Sequence, residues 1–260
     1  MKSTNHILDI ALEISDQAAE LIRSSSQKIK TFKSKGEVSN LVTQTDVEAD
    51  KLISSKIKES FPEHNIVSEE LGSNNLRSDY TWYIDPIDGT NNFVHNYPSF
   101  AVSIGVFYKN KPLVGVVYDI PNDEKFFASK NSGSFCNNSQ IIVSDKDHFN
   151  EGLYVTGFIP YDENFIDKNL QVIKNINLNS HGVRRLGAAS LDMCHVAKGI
   201  VEGFWEYNLQ PWDTAAGNII ISEAGGKVTN DSNNQYNFDK CIVASNGKIH
   251  NQFIDIIQRS

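Results

Sequence analysis

The chain has 260 residues, 40% of them hydrophobic and 22% charged, the balance of a soluble globular protein with a large buried core. Acidic residues outnumber basic ones by 32 to 24, for a formal net charge of −8. A nucleic-acid sheath needs the opposite sign, so direct nucleic-acid binding is disfavoured, whereas an anionic small substrate is not excluded, because metal cations can reverse the sign of a local site.

In chain order, residues 4 to 24 carry Ile7, Ala11, Ile14, Ala18, Leu21 and Ile22 at helical spacing. Asp9, Glu13 and Asp16 interrupt the apolar run that a secretory signal would need. A second helix is expected from Val47, capped by Asp46 and ended before Pro62. "NIVSEE" reads as a short strand ending in Glu69-Glu70, "TWYID" as another, and "TNNFVH" as a helix start. "FAVSIGV" and "LVGVVYD", separated by "KNKP", read as a hairpin. The stretches 131–139 and 230–237 read as loops.

From residue 149 strands and helices alternate. "GLYVTGF", "VEGFWEY" and "CIVAS" are strand-like; "NFIDKNLQVIKNI", "GAASLDMCHVAKGI" and "HNQFIDIIQ" are helix-like. "WDTAAGNIIISEAGG" is a helix stopped by Gly225-Gly226. Runs of strands first and alternation later predict layered sheets and helices. No window of about 18 apolar residues offers a membrane span. Cys136, Cys194 and Cys241 show neither zinc spacing nor a disulfide framework, which fits a reducing cytoplasm.

Acids stand at the ends of these elements: Glu69-Glu70, Asp85, Asp88 and Asp213. Pro86 stiffens the link from Asp85 to Asp88, and Gly89 permits a tight turn, so both carboxyls can face one pocket. Carboxylate oxygens suit a hard divalent cation. Free N–H groups of Gly89 and Thr90 at a helix start suit an anion. Plainer roles stand beside these: a turn for Asp85 and Asp88, a helix cap for Asp213, a solvated edge for Glu69-Glu70.

"DPIDGTNNF" together with "WDTAAGNIIISEAGG" resembles the inositol monophosphatase family, and supporting blocks run in order along nearly the whole chain: "NLVTQTD", "SEE", "FAVSIGV", "GVVYD", "RRLGAAS", "EGFWEY" and "PWDTAAG". The resemblance implies an αβαβα sandwich in one catalytic domain over 1–260, with halves of about 1–148 and 149–260. It implies a cytoplasmic, Mg²⁺-dependent, lithium-sensitive phosphomonoesterase acting on a small phosphorylated polyol, foremost myo-inositol monophosphate. Fructose 1,6-bisphosphate, a 3′-phosphorylated nucleotide, histidinol phosphate or a purely regulatory role are the alternatives. A homodimer is expected, and a protein partner stays open.

By position, Glu69, Asp85, Asp88, Asp213 and the Ile87 carbonyl match the ligands of two or three Mg²⁺ ions. Glu69 and Thr90 match the pair that holds the attacking water, and Asp46 an acid behind the outermost ion. Asp88, Gly89, Thr90, Gly187, Ala189, Glu206 and Asp213 match substrate contacts. Lys35 matches a lysine on a flap, with a solvated loop charge as its plainer role; Glu70 is read as a surface or structural acid, and Glu206 has an exposed strand position as its alternative. Ala188 and Ser190 depart from the family, which favours Ser or Thr at the first position and Ala at the second.

Overall fold

The computed structural model describes residues 4–26, 31–36, 41–158 and 163–260; Asn40, the first residue of "NLVTQTD", lies outside them. Helix α1 (Thr4–Ser26) buries Ile7, Ala11, Ile14, Ala18 and Ile22 along one face. A two-stranded ribbon, β1 (Phe32–Ser34) against β2 (Leu41–Thr43), leads into α2 (Gln44–Ser60). The expected helix start at Val47 with Asp46 as its cap is corrected here. Thr43 is the cap, and its hydroxyl accepts from the Asp46 N–H. The Asp46 carboxylate accepts in return from the Thr43 backbone N–H. This reciprocal box satisfies two helix-end donors where a lone Asp cap satisfies one.

The first sheet is built from β3 (Asn65–Ser68), β4 (Gly72–Ser73), β5 (Tyr80–Asp88), β6 (Ala101–Tyr108), β7 (Lys111–Asp119), β8 (Glu124–Ser129), β9 (Ser134–Cys136) and β10 (Ser139–Ile141). Its order is β10-β9-β8-β7-β6-β5-β3-β4. The short helix α3 (Thr90–Val94) follows β5. Residues 131–139, expected as loop, contribute β9 and the start of β10. Pairing with β8, and Phe135 stacked on Phe127, override the polar composition.

The second half adds β11 (Tyr154–Thr156), α4 (Glu163–Asn179), β12 (Val183–Arg184), α5 (Ala189–Ala197), β13 (Gly203–Tyr207), α6 (Pro211–Glu223), β14 (Lys227–Thr229), β15 (Cys241–Ser245) and α7 (His250–Arg259). Its five strands run β12-β11-β13-β15-β14.

Three apolar clusters separate five layers. α1 and α2 close one face of the first sheet over Ile53, Trp82, Val102 and Val116. α5 and α6 fill the space between the sheets with Leu191, Met193, Ile220 and Phe204. α4 and α7 cover the far face of the second sheet over Val172, Trp205 and Phe253. The fold is therefore an αβαβα sandwich. With both faces covered, β6 is buried from Ala101 to Phe107, and its sequence reads as a continuous apolar run.

Gly105 on β6 brings α6 against the first sheet. A Cβ there would meet the Cβ of Ala215 at 2.6 Å and the backbone N of Ala216 at 2.8 Å. No side chain fits between strand and helix, so the helix axis lies close over the sheet. The first turn of α6, with Asp213, is thereby carried to the end of β5 and β6, where the Ser103 hydroxyl donates to the Trp212 carbonyl at 3.3 Å.

Candidate active site

Residues three apart on a strand normally point to opposite faces. Asp85 pairs with Ser103 and Asp88 with Ala101, so the ladder advances three residues on β5 for two on β6. The extra residue is a bulge at Pro86-Ile87, where proline has no N–H to lose from the ladder. One inserted residue turns Asp88 back to the side of Asp85, while Ile84 and Ile87 both enter the core under α1 and α2. The Asp85 carboxylate accepts the Ile87 N–H at 3.0 Å.

Gly89 then takes the left-handed conformation (φ 87°), with the Ser99 carbonyl 2.9 Å from where a Cβ would stand. Thr90 opens α3. Its hydroxyl oxygen lies 2.9 Å from Asp46 Oδ1 and 3.0 Å from the Ile87 carbonyl, so its single hydrogen serves one acceptor at a time. The Asn92 amide donates to the Ser99 carbonyl at 2.7 Å and the Leu186 carbonyl at 2.8 Å, tying this turn to the second half.

Glu69 and Glu70, expected to end the strand, lie in the turn one and two residues past β3. Asp50 on α2 fixes that turn by accepting the N–H groups of Glu70 and Leu71 at 3.1 and 3.2 Å. Glu70 is not a surface acid: its side chain is only 6% exposed and bonds Lys35. Nor is Lys35 a solvated loop charge, since its ammonium bridges Glu69 and Glu70.

From the second half, the Ser190 N–H and hydroxyl both donate to Asp88 Oδ2, at 2.7 and 2.5 Å, and the Ala189 N–H donates to Oδ1 at 3.2 Å. The Ala189 N–H, expected at the substrate, is thus directed to Asp88. Asp213 is the third residue of α6 rather than its cap. Gln210 caps, and the Asp213 carboxylate accepts the Gln210 N–H at 2.6 Å. Glu206, on β13, is buried rather than an exposed strand residue.

These groups share one cleft of about 440 Å³ between the two halves. Glu69, Asp85, Asp88, Thr90, Gly187, Glu206 and Asp213 all line it, as do Lys35 and Arg185. Asp46 stands behind Thr90. Sequence reasoning missed Asn92, Arg185, Asp192 and the hydrogen bonds of Ser190. Asp192 is 1% exposed, and neither carboxyl oxygen has a hydrogen-bond partner among the described residues. Only the departure of Ser190 from the family pattern hinted at any of these.

Burial, followed by the charges of Glu69, Asp88 and Asp213, pushes the Asp85 carboxyl well above the usual range. Asp213 is raised likewise, by burial and then by Asp88 and Glu69. Asp88 is pushed up to about 6 by burial, against the lowering hydrogen bonds from Ser190 and Ala189. Glu206 is pushed to about 8 by burial and the Asp88 charge. Burial also raises Asp46, opposed by its bonds from Thr43 and Thr90. Lys35 loses from burial, but Glu69 and Glu70 hold its ammonium above the ordinary lysine range. The cleft thus concentrates more negative charge than Lys35 and Arg185 offset.

Such a set of oxygen donors, with neither thiol nor imidazole among them, fits hard divalent cations. Each of the four carboxylates Glu69, Asp85, Asp88 and Asp213 is also engaged elsewhere, and among the described residues no group of three or more His, Cys, Asp or Glu side chains is placed to hold a metal ion as it stands. Coordination would require these groups to share or release hydrogen bonds to Lys35, Ile87, Ser190 and Gln210.

A five-layer αβαβα sandwich with an acidic, oxygen-lined cleft between its halves defines the class of this protein. The particular family is the Inositol monophosphatase family, to which the chain belongs: the family model matches residues 3–260. The chain is 40% identical over 263 residues to Phosphatase IMPL1, chloroplastic, of Arabidopsis thaliana, covering 98% of this chain and 71% of that protein. It is 36% identical over 256 residues to Putative Nus factor SuhB of Neisseria meningitidis serogroup B, covering 97% and 98%. The solved structure of an inositol monophosphatase from Anabaena (Nostoc) matches with a TM-score of 0.89 at 35% identity, over 98% of this chain and 96% of that one.

Proposed function

We propose that the protein hydrolyses a phosphate monoester of a small polyol, foremost myo-inositol monophosphate, with Mg²⁺ held by Glu69, Asp85, Asp88, Asp213 and the Ile87 carbonyl. The observation that carries this reading is the convergence in one cleft of the buried Asp85 and Asp88 of β5 with the half-buried Asp213 of α6 and Glu69 of the turn after β3, where burial and then the charges of Glu69, Asp88 and Asp213 raise the Asp85 pKa. Evolutionary membership in a phosphatase family supports it. Bound there, Mg²⁺ supplies charge for the phosphoryl and leaving oxygens and acidifies the attacking water.

The chain's own groups do the rest. Glu69 and the Thr90 hydroxyl orient the water. With its hydrogen given to Asp46 Oδ1, Thr90 Oγ1 has lone pairs free to accept from that water. Asp46, buried and with its pKa raised, is a suitable proton holder behind it. Backbone N–H groups of Gly89 and Thr90 receive phosphoryl oxygens. Gly187 and Glu206 meet the alcohol half, where a carboxyl can bond vicinal hydroxyls. The Ala188 side chain brings no hydroxyl, so polyol preference rests on Glu206 and backbone groups. Both halves line the cleft, which supports one catalytic unit over the whole chain.

The test is phosphate release from a panel of inositol monophosphate, fructose 1,6-bisphosphate, a 3′-phosphorylated nucleotide and histidinol phosphate, with and without Mg²⁺. Asp88→Asn should keep the fold and lose Mg²⁺-dependent turnover by about 10²-fold or more. Near-normal turnover in that variant overturns the ligand assignment. Millimolar lithium should inhibit, and light scattering should report a dimer. A second reading, a regulatory protein on the same fold, draws on the relative named as a Nus factor. No Mg²⁺-stimulated release across the panel would favour it.

A further inference from the structure

The Lys35 ammonium lies 2.9 Å from Glu69 Oε1 and 2.5 Å from Glu70 Oε1. The two acids are not equivalent. Glu69 lines the cleft, whereas the Glu70 side chain is 6% exposed and stands outside the cleft wall. Their turn is fastened to α2 through the buried Asp50 carboxylate. Lys35, by contrast, reaches in from the end of β1, a three-residue strand exposed along its whole length. The carboxylates are therefore the fixed members of the triad and the ammonium the adjustable one.

An ammonium has three donors, and two suffice for these acids. A cation bound to Glu69 would share that carboxylate with Lys35, whose ammonium holds Oε1, and two positive charges on one carboxylate repel. Glu70 offers Lys35 a second anion just outside the contested position. We propose that Lys35 is a tethered counter-charge that competes with divalent ions for Glu69, and that Glu70 is the positioning residue that retains Lys35 when an ion takes Glu69. Lys35 then moves by the width of one carboxylate instead of leaving the cleft, and its charge stays beside the anionic substrate. The inference rests on the divalent-ion reading given above.

The test titrates Mg²⁺ alone by calorimetry into the full chain, Lys35→Met, Glu70→Gln and the double variant, with thermal melts to verify folding. Lys35→Met should bind Mg²⁺ about three- to tenfold more tightly, as expected for removal of one partly screened opposing charge. Lys35→Gln, which keeps a polar chain, should tighten binding in the same direction. Glu70→Gln leaves Lys35 to Glu69 alone, so its penalty should be at least about threefold larger with Lys35 present than in the Lys35→Met background. An unaltered chain that takes up no Mg²⁺ overturns the divalent-ion reading and this inference with it. A chain that binds Mg²⁺ but is not tightened by Lys35→Met overturns this inference alone. Equal Glu70→Gln penalties in both backgrounds overturn the positioning role of Glu70.

Discussion

Gly105→Ala tests how α6 is placed. The added methyl would stand 2.6 Å from the Ala215 Cβ and 2.8 Å from backbone atoms of Ala215 and Ala216. Ordinary carbon contacts are about 3.5–4.0 Å, so strand and helix must part by roughly 1 Å. The obstructing atoms include backbone, which no rotamer change relieves. Overpacking of this kind costs about 1–3 kcal/mol, which for a chain of this size lowers Tm by about 2–12 °C. The same displacement acts on Asp213, two residues upstream on α6. A misplacement of about 1 Å at a reacting centre can cost on the order of 10²-fold in rate. Thermal melts and Mg²⁺-dependent phosphate release, measured on the same preparation, read the two effects separately. An unchanged Tm would refute the close-packing claim. A lowered Tm with full turnover would refute the claim that helix placement sets the position of Asp213.

Two further substitutions probe the buried acids of the second half. Glu206 ordinarily titrates near 4.5 and is raised to about 8, so its contribution to stability is intact below 4.5 and is lost as pH rises to about 8. Glu206→Gln, neutral throughout, should therefore stabilise the fold increasingly between pH 5 and pH 8 in melts; a gain independent of pH would sink this expectation. Asp192→Asn removes a carboxyl held well above the usual range by burial and the Glu206 charge, with neither oxygen bonded among the described residues. It should gain about 1–3 kcal/mol at pH 8 by denaturant titration, and less at pH 4; a loss at pH 8 would show that the carboxyl has a partner worth more than its burial cost.

Much of the architecture was legible from local rules. The spacing of Ile7, Ala11, Ile14 and Ala18 specifies a buried helical face wherever that helix packs. "FAVSIGV" and "LVGVVYD" read as a hairpin, and they form the antiparallel pair β6 and β7. The motif blocks located the acids, and "PIDGT" contained both the bulge and the left-handed turn. Local rules failed where a neighbour in sequence competes with a neighbour in space. Asp46 has the chemistry of a helix cap, but Thr43 is placed to cap with it reciprocally. Glu70, Lys35 and Glu206 have the composition of surface residues, and only packing shows them buried or paired.

By itself, the sequence determined which residues carry charge, which faces are apolar and where the chain must turn, because these depend on bonded geometry and on periods of two or 3.6 residues. Only the tertiary structure decided that Asp88 is held by Ser190, 102 residues away, that Gly105 admits α6 close enough to deliver Asp213, and that Lys35 divides itself between two glutamates. Those outcomes follow from distance and burial between remote segments, and the field of one buried carboxyl on another has no magnitude until the fold has set how far apart they stand and what lies between them.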